Sequence, residues 1–184
     1  MLLKTILHDM NWYKYWNENE IVNNANPYRQ VGKTSYGRHP SVDEWNRLIA
    51  EIHKLIDLRE SDTILDLCCG NGMMSNSIAK SCQSIVAVDF SKKLLGNFIP
   101  VSKKIHKINC DIRDIDCVNK ALKGCDLVFH LAALVGIPFS YHAPETYIDT
   151  NIKGAFNVIQ SCLDYSVLRV FHPTKPIFKN NWDD

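Results

Sequence analysis

Short apolar runs alternate with helix-forming segments through most of this 184-residue sequence. Each run has the length and composition of a strand that is buried on both faces. The runs occupy residues 64–67, 85–88, 105–110, 127–131 and 168–171. Helices are predicted over residues 73–81, 91–98, 116–123 and 145–165, the third of them ending at Gly124. This alternation predicts an α/β fold, a single doubly wound, Rossmann-like parallel sheet with helices on both faces.

The length predicts one domain, because 184 residues form one proper core and are too few for a dinucleotide domain plus a substrate domain. We expect a leader or lid over residues 1–40, the domain over residues 41–172 and a tail over residues 173–184. In the leader, aromatic residues among Asn, Gly and Lys predict a short helix and then a loop. Ser41 and Glu44 have the spacing of a capping box, so a helix is expected to begin there.

Composition argues against several partners. The 21 Lys and Arg residues balance 20 Asp and Glu residues, and no dense basic stretch is present, so nucleic acid is not expected to bind. The 7 cysteines form no CxxC pair and lie mostly in apolar runs, as small hydrophobic residues of a reducing compartment do. No secretion signal is recognised, and the longest apolar stretch, residues 127–139, is shorter than a membrane span. A cytoplasmic protein without a membrane partner is expected.

Two glycines follow the first apolar run at a point where a cofactor is expected to bind. Gly70 and Gly72 allow the backbone to approach a ligand at the start of the next helix. Asp89 ends the second run, where its carboxylate is placed to bind both hydroxyls of a ribose. A dinucleotide turn has the pattern GxGxxG, and its third position is Ser75 in this sequence. An adenosine cofactor is therefore expected, with a pyrophosphate poorly held.

The first half of the sequence, about residues 11–98, resembles class I S-adenosylmethionine-dependent methyltransferases. Residues 65–72 are similar to the first motif of that family, with Cys68 in place of its first glycine, and residues 86–91 are similar to its acidic strand end. The resemblance implies S-adenosylmethionine as cofactor, with its ribose on Asp89. The cofactor-binding residues that it implies are Asp66, Cys68, Gly70, Gly72 and Asp89.

The second half, about residues 105–172, resembles the NAD-dependent nucleotide-sugar epimerases and 4,6-dehydratases, a branch of the extended short-chain dehydrogenases/reductases. Residues 129–133, 137–141 and 147–154 match segments of that branch. The resemblance implies that Asp111 and Ile112 contact an adenine, a role that the methyltransferase family also gives to an acidic residue at this strand end. It also implies a YxxxK pair for hydride transfer, which this sequence lacks.

Both families follow the same crossover rules, so a junction between Phe98 and Ile105 would preserve one sheet with strand order 3-2-1-4-5. The sequence predicts an S-adenosylmethionine-binding, methyltransferase-like protein with weak or no activity, because the acceptor-site elements are missing. Two alternatives stay open: a truncated NAD-dependent epimerase or dehydratase relative, and a catalytically silent hybrid of two sugar-pathway genes. A small molecule, with nucleotide sugars as the first class to test, is the expected substrate.

No catalytic residue and no metal site are assigned from the sequence, and the oligomeric state is left open. His130 lies in the middle of an apolar run, where a hydrogen-bonded core histidine or one beside a cofactor is the more common situation. The carboxylates of Asp114 and Asp116 stand where helix caps are needed, so they do not indicate a metal.

Overall fold

A computed structural model describes residues 12–32, 38–135, 140–167 and 169–172. Its centre is a five-stranded sheet in the order β3-β2-β1-β4-β5, in which every neighbouring pair is parallel. This confirms the predicted fold class and strand order. The strands are β1 (Thr63–Leu67), β2 (Ser84–Asp89), β3 (Ile105–Asn109), β4 (Leu127–His130) and β5 (Arg169–Phe171).

The register places β1 at the middle of the sheet, with Leu65 opposite Val86 on one side and Val128 on the other. β3 lies beside β2, where Ile108 is opposite Val88. Burial on both faces, predicted for all five strands, holds for β4 and for most of β1 and β2. The edge strands are more open to solvent: β3 exposes His106, Lys107 and Asn109, and β5 exposes Val170.

Helices flank the sheet on both faces. Residues 145–165, predicted as one helix, form a short α-helix, a π-helical stretch over Ile148–Gly154 and a longer α-helix. Short 3-10 turns cover Glu20–Asn23 and Ala79–Ser81. The α-helices are α1 (Trp12–Glu18), α2 (Pro27–Gln30), α3 (Val42–Ile56), α4 (Met73–Ile78), α5 (Lys92–Asn97), α6 (Ile115–Leu122), α7 (Pro144–Tyr147) and α8 (Ala155–Asp164).

The first face of the sheet carries α3, α4 and α5. Ile52 of α3 and Phe98, just after α5, are each about 1% exposed and pack against Ile64 and Ile85 of the sheet. The predicted capping box starts α3: the Ser41 hydroxyl accepts from the Glu44 N–H, and the Glu44 carboxylate accepts from the Ser41 N–H.

The second face carries α6 and α8. Val118 and Leu122 of α6 and Val158 of α8 are fully buried against Leu65 and Val128 of the sheet. The two faces therefore form the three-layer arrangement that a parallel sheet requires, and the carboxyl ends of the strands are left as the edge where a ligand can bind.

The cysteines are only partly as predicted. Cys69, Cys82, Cys125 and Cys162 are buried thiols, in agreement with their role as small hydrophobic residues. Two departures appear: Cys68 is exposed, and a disulfide joins Cys110 to Cys117, a pairing that the sequence did not indicate.

No helix in the described part of the chain has the length and apolar character needed to cross a membrane.

Candidate functional site

The loop between β1 and α4 carries the predicted glycine turn. Three of its residues have left-handed backbone: Cys68 at φ 69°, Gly70 at φ 58° and Gly72 at φ 78°. The N–H groups of Cys68 and Cys69 both donate to the carbonyl of Val88 at 2.9 Å, which fastens the turn to the end of β2. The positive φ values explain the two glycines, and they make Cys68 a strained position.

The space beside each glycine is filled by the protein itself. A Cβ atom on Gly72 would lie 2.1 Å from the ring of Phe98, and one on Gly70 would lie 2.8 Å from Cγ1 of Val31. Both glycines are buried. The sequence predicted that they make room for a ligand, and the structure shows a core ring against Gly72 and a leader side chain against Gly70.

Asp89, the predicted ribose ligand, is turned toward this loop. Its side chain is only 2% exposed and accepts hydrogen bonds from the N–H of Gly70 at 2.9 Å and the N–H of Ser91 at 2.8 Å. The Cys68 thiol donates a further hydrogen bond to it. Burial raises the pKa of the Asp89 carboxyl despite these donors. In this conformation the carboxylate holds the turn in place.

Asp66 is the penultimate residue of β1, and it is closed off from solvent. It is fully buried within β1, and its Oδ2 accepts from the hydroxyl of Ser75 at 2.5 Å. Ser75, the residue that replaces the third glycine of a dinucleotide turn, therefore serves as a partner for a buried carboxylate. The Asp66 carboxylate and the Ser75 hydroxyl both lie beneath the turn. Asp66 was predicted to bind the cofactor, but among the described residues it has no route to solvent.

Asp111, like Cys68, is a predicted site residue that solvent reaches. Arg113 forms two-pronged hydrogen bonds with its carboxylate, the shortest at 2.6 Å, and the Asp111 side chain remains 34% exposed. Partial burial raises the pKa of Asp111, but the hydrogen bonds and charge of Arg113 outweigh burial and hold that pKa below its ordinary value. This carboxylate is charged at neutral pH.

Ile112, predicted beside Asp111 as an adenine contact, is part of the second core. It is 6% exposed, its side chain fills the space beside Gly154, and its carbonyl accepts from the Asn157 side chain at 3.0 Å. Only its backbone is near the edge of the sheet.

Two adjoining depressions lie at the carboxyl end of β3, and Asp111 and Asp114 line both. The larger, an open cleft of about 440 Å³, is bounded by charged side chains only: Asp111, Arg113, Asp114, Asp149 and Lys153. The smaller, a hollow of about 190 Å³, has two aromatic walls, Tyr13 and Phe90, and is completed by Asn109, Cys110, Asp111, Asp114 and Cys117.

His130 ends β4 beside this edge. It is 2% exposed, and its ring stacks on that of His172 with 4.8 Å between the centroids. Burial, and then the neighbouring His172, lower the pKa of His130 to about 4. The ring is therefore neutral at physiological pH, and neither of its nitrogens has a hydrogen-bond partner among the residues that the structure describes. His130 is buried, and the two situations expected from the sequence, a hydrogen-bonded core histidine and one beside a cofactor, both stay predictions.

The π-helical stretch contributes a clamp that the sequence analysis did not assign. The Asn151 side chain donates to the carbonyl of Leu134 at 2.9 Å and accepts from the Leu134 N–H at 2.8 Å. It thereby fixes the start of the loop that follows β4. π-helical turns are often found at functional sites, which is the signal that could have drawn attention to this residue.

The predicted site residues thus separate into two groups. Gly70, Gly72 and Asp89 meet in one buried turn, with Cys68 at its surface, whereas Asp111 lies at the open cleft of the neighbouring strand. Among the described residues no group of three or more His, Cys, Asp or Glu side chains is arranged to hold a metal ion.

Comparison with known proteins identifies one family over most of this region. Residues 70–181 match the model of the 3-beta hydroxysteroid dehydrogenase/isomerase family. The match begins at the first glycine of the turn and passes through β2, β3, β4 and β5 without a break.

The curated relatives that match the chain include a 3 beta-hydroxysteroid dehydrogenase, in agreement with this family. The chain is 37% identical over 60 residues to a UDP-glucose 4-epimerase of Rickettsia akari (strain Hartford), an alignment that spans 33% of this chain and 18% of that protein. It is 34% identical over 71 residues to a 3 beta-hydroxysteroid dehydrogenase/Delta 5-->4-isomerase of vaccinia virus (strain Copenhagen), spanning 37% of this chain and 20% of that protein. The chain thus matches about a fifth of the length of these relatives.

Among solved structures, Pen from Bacillus thuringiensis superimposes with a TM-score of 0.55 at 25% identity, covering 61% of this chain and 38% of that one. A UDP-N-acetylglucosamine 4-epimerase from Methanobrevibacter ruminantium M1 superimposes with a TM-score of 0.53 at 22% identity, covering 66% of this chain and 43% of that one. The latter likeness shows the fold.

These comparisons correct the functional prediction. The methyltransferase interpretation is wrong, because the family match includes the turn and the acidic strand end on which that interpretation rested. The junction expected between Phe98 and Ile105 is wrong for the same reason, since one family model spans it. The error has a physical origin: both families follow a central strand with a glycine turn and end the next strand with a carboxylate, so a short sequence window does not separate them.

Proposed function

Since this chain belongs to the 3-beta hydroxysteroid dehydrogenase/isomerase family, we propose that it binds NAD, with the adenosine half at the carboxyl ends of β2 and β3. The observation that carries the proposal is the unbroken family match across both acidic strand ends, Asp89 and Asp111. Open α/β sheets bind nucleotides at this edge, beside the point where the strand order reverses.

The hollow beside β3 suits the adenosine. Tyr13 and Phe90 offer aromatic surface for stacking, and the ionised Asp111 and the amide of Asn109 offer polar groups for hydrogen bonds. Asp89 has a different part in this proposal: because both its oxygens are used by backbone N–H groups, it acts as a positioning residue that shapes the turn between the two strand ends.

The pyrophosphate does not fit the turn as it stands. A pyrophosphate approaches such a turn through the space that the missing Cβ of the second glycine leaves, and the buried ring of Phe98 fills that space at Gly72, as Val31 does at Gly70. NAD, when bound, would supply hydride transfer. The sequence contains no Tyr followed four residues later by Lys.

For the substrate we propose the nucleotide-sugar class in preference to steroids. The relatives named above include enzymes of both classes. The accessible cleft of this chain is lined by five charged side chains, which suit a polar, charged ligand and would leave a steroid ring system without apolar contact.

Calorimetric titration tests the binding proposal. NAD and adenosine should both bind, and Asp111→Asn should weaken both by about tenfold, because a charge-assisted hydrogen bond is lost. Asp43→Asn removes the same charge from the exposed first turn of α3 and should bind as the wild type does. Failure of NAD and adenosine to bind, or equal affinity in Asp111→Asn, would reject the site. S-adenosylhomocysteine binding without NAD binding would reject the cofactor.

A further inference from the structure

The glycine turn departs from a dinucleotide-binding turn at two of the three positions that define the pattern GxGxxG. In that pattern the first glycine makes the tight turn, the second allows a pyrophosphate to approach the backbone, and the third allows helix and strand to pack closely. The three positions are Gly70, Gly72 and Ser75 in this sequence. The space beside the second is filled by the Phe98 ring, and the third carries a hydroxyl that donates to Asp66. The position that should admit a pyrophosphate is therefore closed.

The ring that closes this position is fixed in the core. Phe98 is 1% exposed, and a Cβ on Gly72 would lie 2.1 Å from its ring. Two hydrogen bonds fasten the segment after the ring to α4. The Asn76 side chain donates to the carbonyl of Ile99 and accepts from the N–H of Val101, both at 3.0 Å. Moving Phe98 would therefore open the core and strain these bonds, so the closure is part of the fold.

The N-terminal segment covers the other side of the turn. A Cβ on Gly70 would lie 2.8 Å from Cγ1 of Val31. The Asn71 side chain, at the tip of the turn, donates to the carbonyl of Pro27 at 2.9 Å and to Oε1 of Gln30 at 2.8 Å. As a result Asn71 is only 7% exposed, although it lies in a loop at the edge of the sheet. The turn is thus enclosed from both sides.

Most of the hydrogen-bond donors of the turn are also taken. A pyrophosphate accepts from free backbone N–H groups at such a turn. Here the N–H groups of Cys68 and Cys69 donate to the end of β2, each at 2.9 Å. The N–H of Gly70 donates to Asp89 at 2.9 Å, and that of Gly72 donates to the carbonyl of Cys69 at 2.9 Å. Further donors, at the start of α4, would be approached past Gly72, which the ring closes.

The hollow beside β3, in contrast, is open and held in shape. Tyr13 and Phe90 form its aromatic walls. The Asn109 amide nitrogen donates to the carbonyls of Asp89 and Phe90 at 2.9 Å each. Its amide oxygen has no partner among the described residues and is left to accept from a ligand. A base and its ribose therefore have a place to bind, whereas a pyrophosphate has none at the turn.

We propose that this edge of the sheet is a nucleoside site to which a pyrophosphate adds no affinity: NAD is held through its adenosine alone, and the rest of the dinucleotide stays outside the turn. This inference rests on the proposed function, because it needs the adenosine to occupy the hollow, and it narrows the ligand of that site to a nucleoside. The nicotinamide is then not positioned for hydride transfer, in agreement with the lack of a Tyr followed four residues later by Lys in this sequence.

The proposal separates clearly from ordinary dinucleotide binding. In a turn that accepts a pyrophosphate, each hydrogen bond to the charged phosphate raises affinity about tenfold or more. Two such bonds would make ADP and NAD bind about a hundredfold more tightly than adenosine. The closed turn predicts instead that ADP and NAD bind no more than about threefold more tightly than adenosine.

Calorimetric titration of the wild type with adenosine, ADP and NAD provides the test, and competition by adenosine shows whether the three ligands share one site. Asp111→Asn should weaken all three by the same factor, with Asp43→Asn as the exposed control. Phe98→Ala removes the ring and should raise the ratio of NAD affinity to adenosine affinity about tenfold. Phe129→Ala removes a fully buried ring from the same core and should leave that ratio unchanged. The wild-type series decides the test if these core variants unfold.

The expected result is one shared site at which neither ADP nor NAD exceeds adenosine by more than about threefold, with a raised ratio in Phe98→Ala alone. Tighter binding of ADP or NAD than this, or binding that adenosine does not compete with, would overturn the inference and leave the proposed function standing. A ratio that stays the same in folded Phe98→Ala, or that rises equally in Phe129→Ala, would overturn the role of the ring. If neither adenosine nor NAD binds, the proposed function is rejected, and the inference with it.

Discussion

Replacing Gly72 with alanine should destabilise the protein more than the same change at another left-handed glycine. The new Cβ would lie 2.1 Å from the Phe98 ring, which is buried and cannot turn aside. Gly72 also has φ 78°, a region that costs a non-glycine residue about 1–2 kcal/mol. Overpacking adds about 1–3 kcal/mol. We expect a total loss of about 3 kcal/mol in the free energy of unfolding.

Gly124 supplies the matched control, because it has φ 79° and nothing within 4 Å of the position of a Cβ. Gly124→Ala should cost only the backbone part, about 1 kcal/mol. In urea melts followed by circular dichroism the two variants should differ by about 2 kcal/mol, and in thermal melts by about 4–8 °C. Phe98→Leu should reduce the cost of Gly72→Ala toward that of Gly124→Ala. Equal costs at Gly72 and Gly124 would refute the steric argument.

Three further outcomes are expected. The pKa of His130 falls from 6.5 in the unfolded chain to about 4 in the folded protein. The contribution of His130 to the free energy of unfolding is therefore fully present above pH 6.5 and is lost as the pH falls toward 4, by up to roughly 3 kcal/mol. In a pH series of urea melts, His130→Leu should flatten the dependence of this free energy on pH over that range. Arg169→Met leaves the Asp62 carboxylate, which is 3% exposed, without its ion-pair partner and should lower the free energy of unfolding by about 3 kcal/mol. Arg59→Met, at an exposed ion pair, should lower it by under about 1 kcal/mol. Similar losses in the two variants would show that burial of the Arg169–Asp62 pair is unimportant. Cys117→Ser should lower the free energy of unfolding by roughly 2 kcal/mol through loss of a short disulfide loop, and a reductant should lower that of wild type but not of the variant.

The sheet was predictable because its determinants are local and regular. The apolar runs around Leu65, Val86, Ile108 and Val128 mark the strands, and crossover handedness then leaves few possible orders. The capping box at Ser41 is likewise contained in four consecutive residues. The sequence could not reveal that residues 145–165 are interrupted by a π-helical stretch, because the same apolar spacing suits a continuous helix.

The candidate site was predicted only in part, because its geometry depends on contacts between distant residues. Nothing near Gly70 in the sequence indicates that Val31 covers it, and nothing near Asn71 indicates that its amide is taken by Pro27 and Gln30. The direction of Asp89 depends in the same way on how the preceding turn folds back. The exposed position of Asp111 could have been predicted from the sequence, because Asp111 and Arg113 form a charged pair two residues apart at a strand end, and such a pair favours exposure.

The Asn151 clamp gives the loop after β4 a partner that behaves as a peptide unit. A primary amide presents one carbonyl and one N–H side by side, and these meet the N–H and carbonyl of a single residue, Leu134, as a neighbouring strand would. The side chain thus gives Leu134, four residues beyond the end of β4, a strand-like pair of hydrogen bonds. Aspartate, although it has the same shape, would set a second acceptor against the Leu134 carbonyl, so at this position the isosteric replacement is the disruptive one.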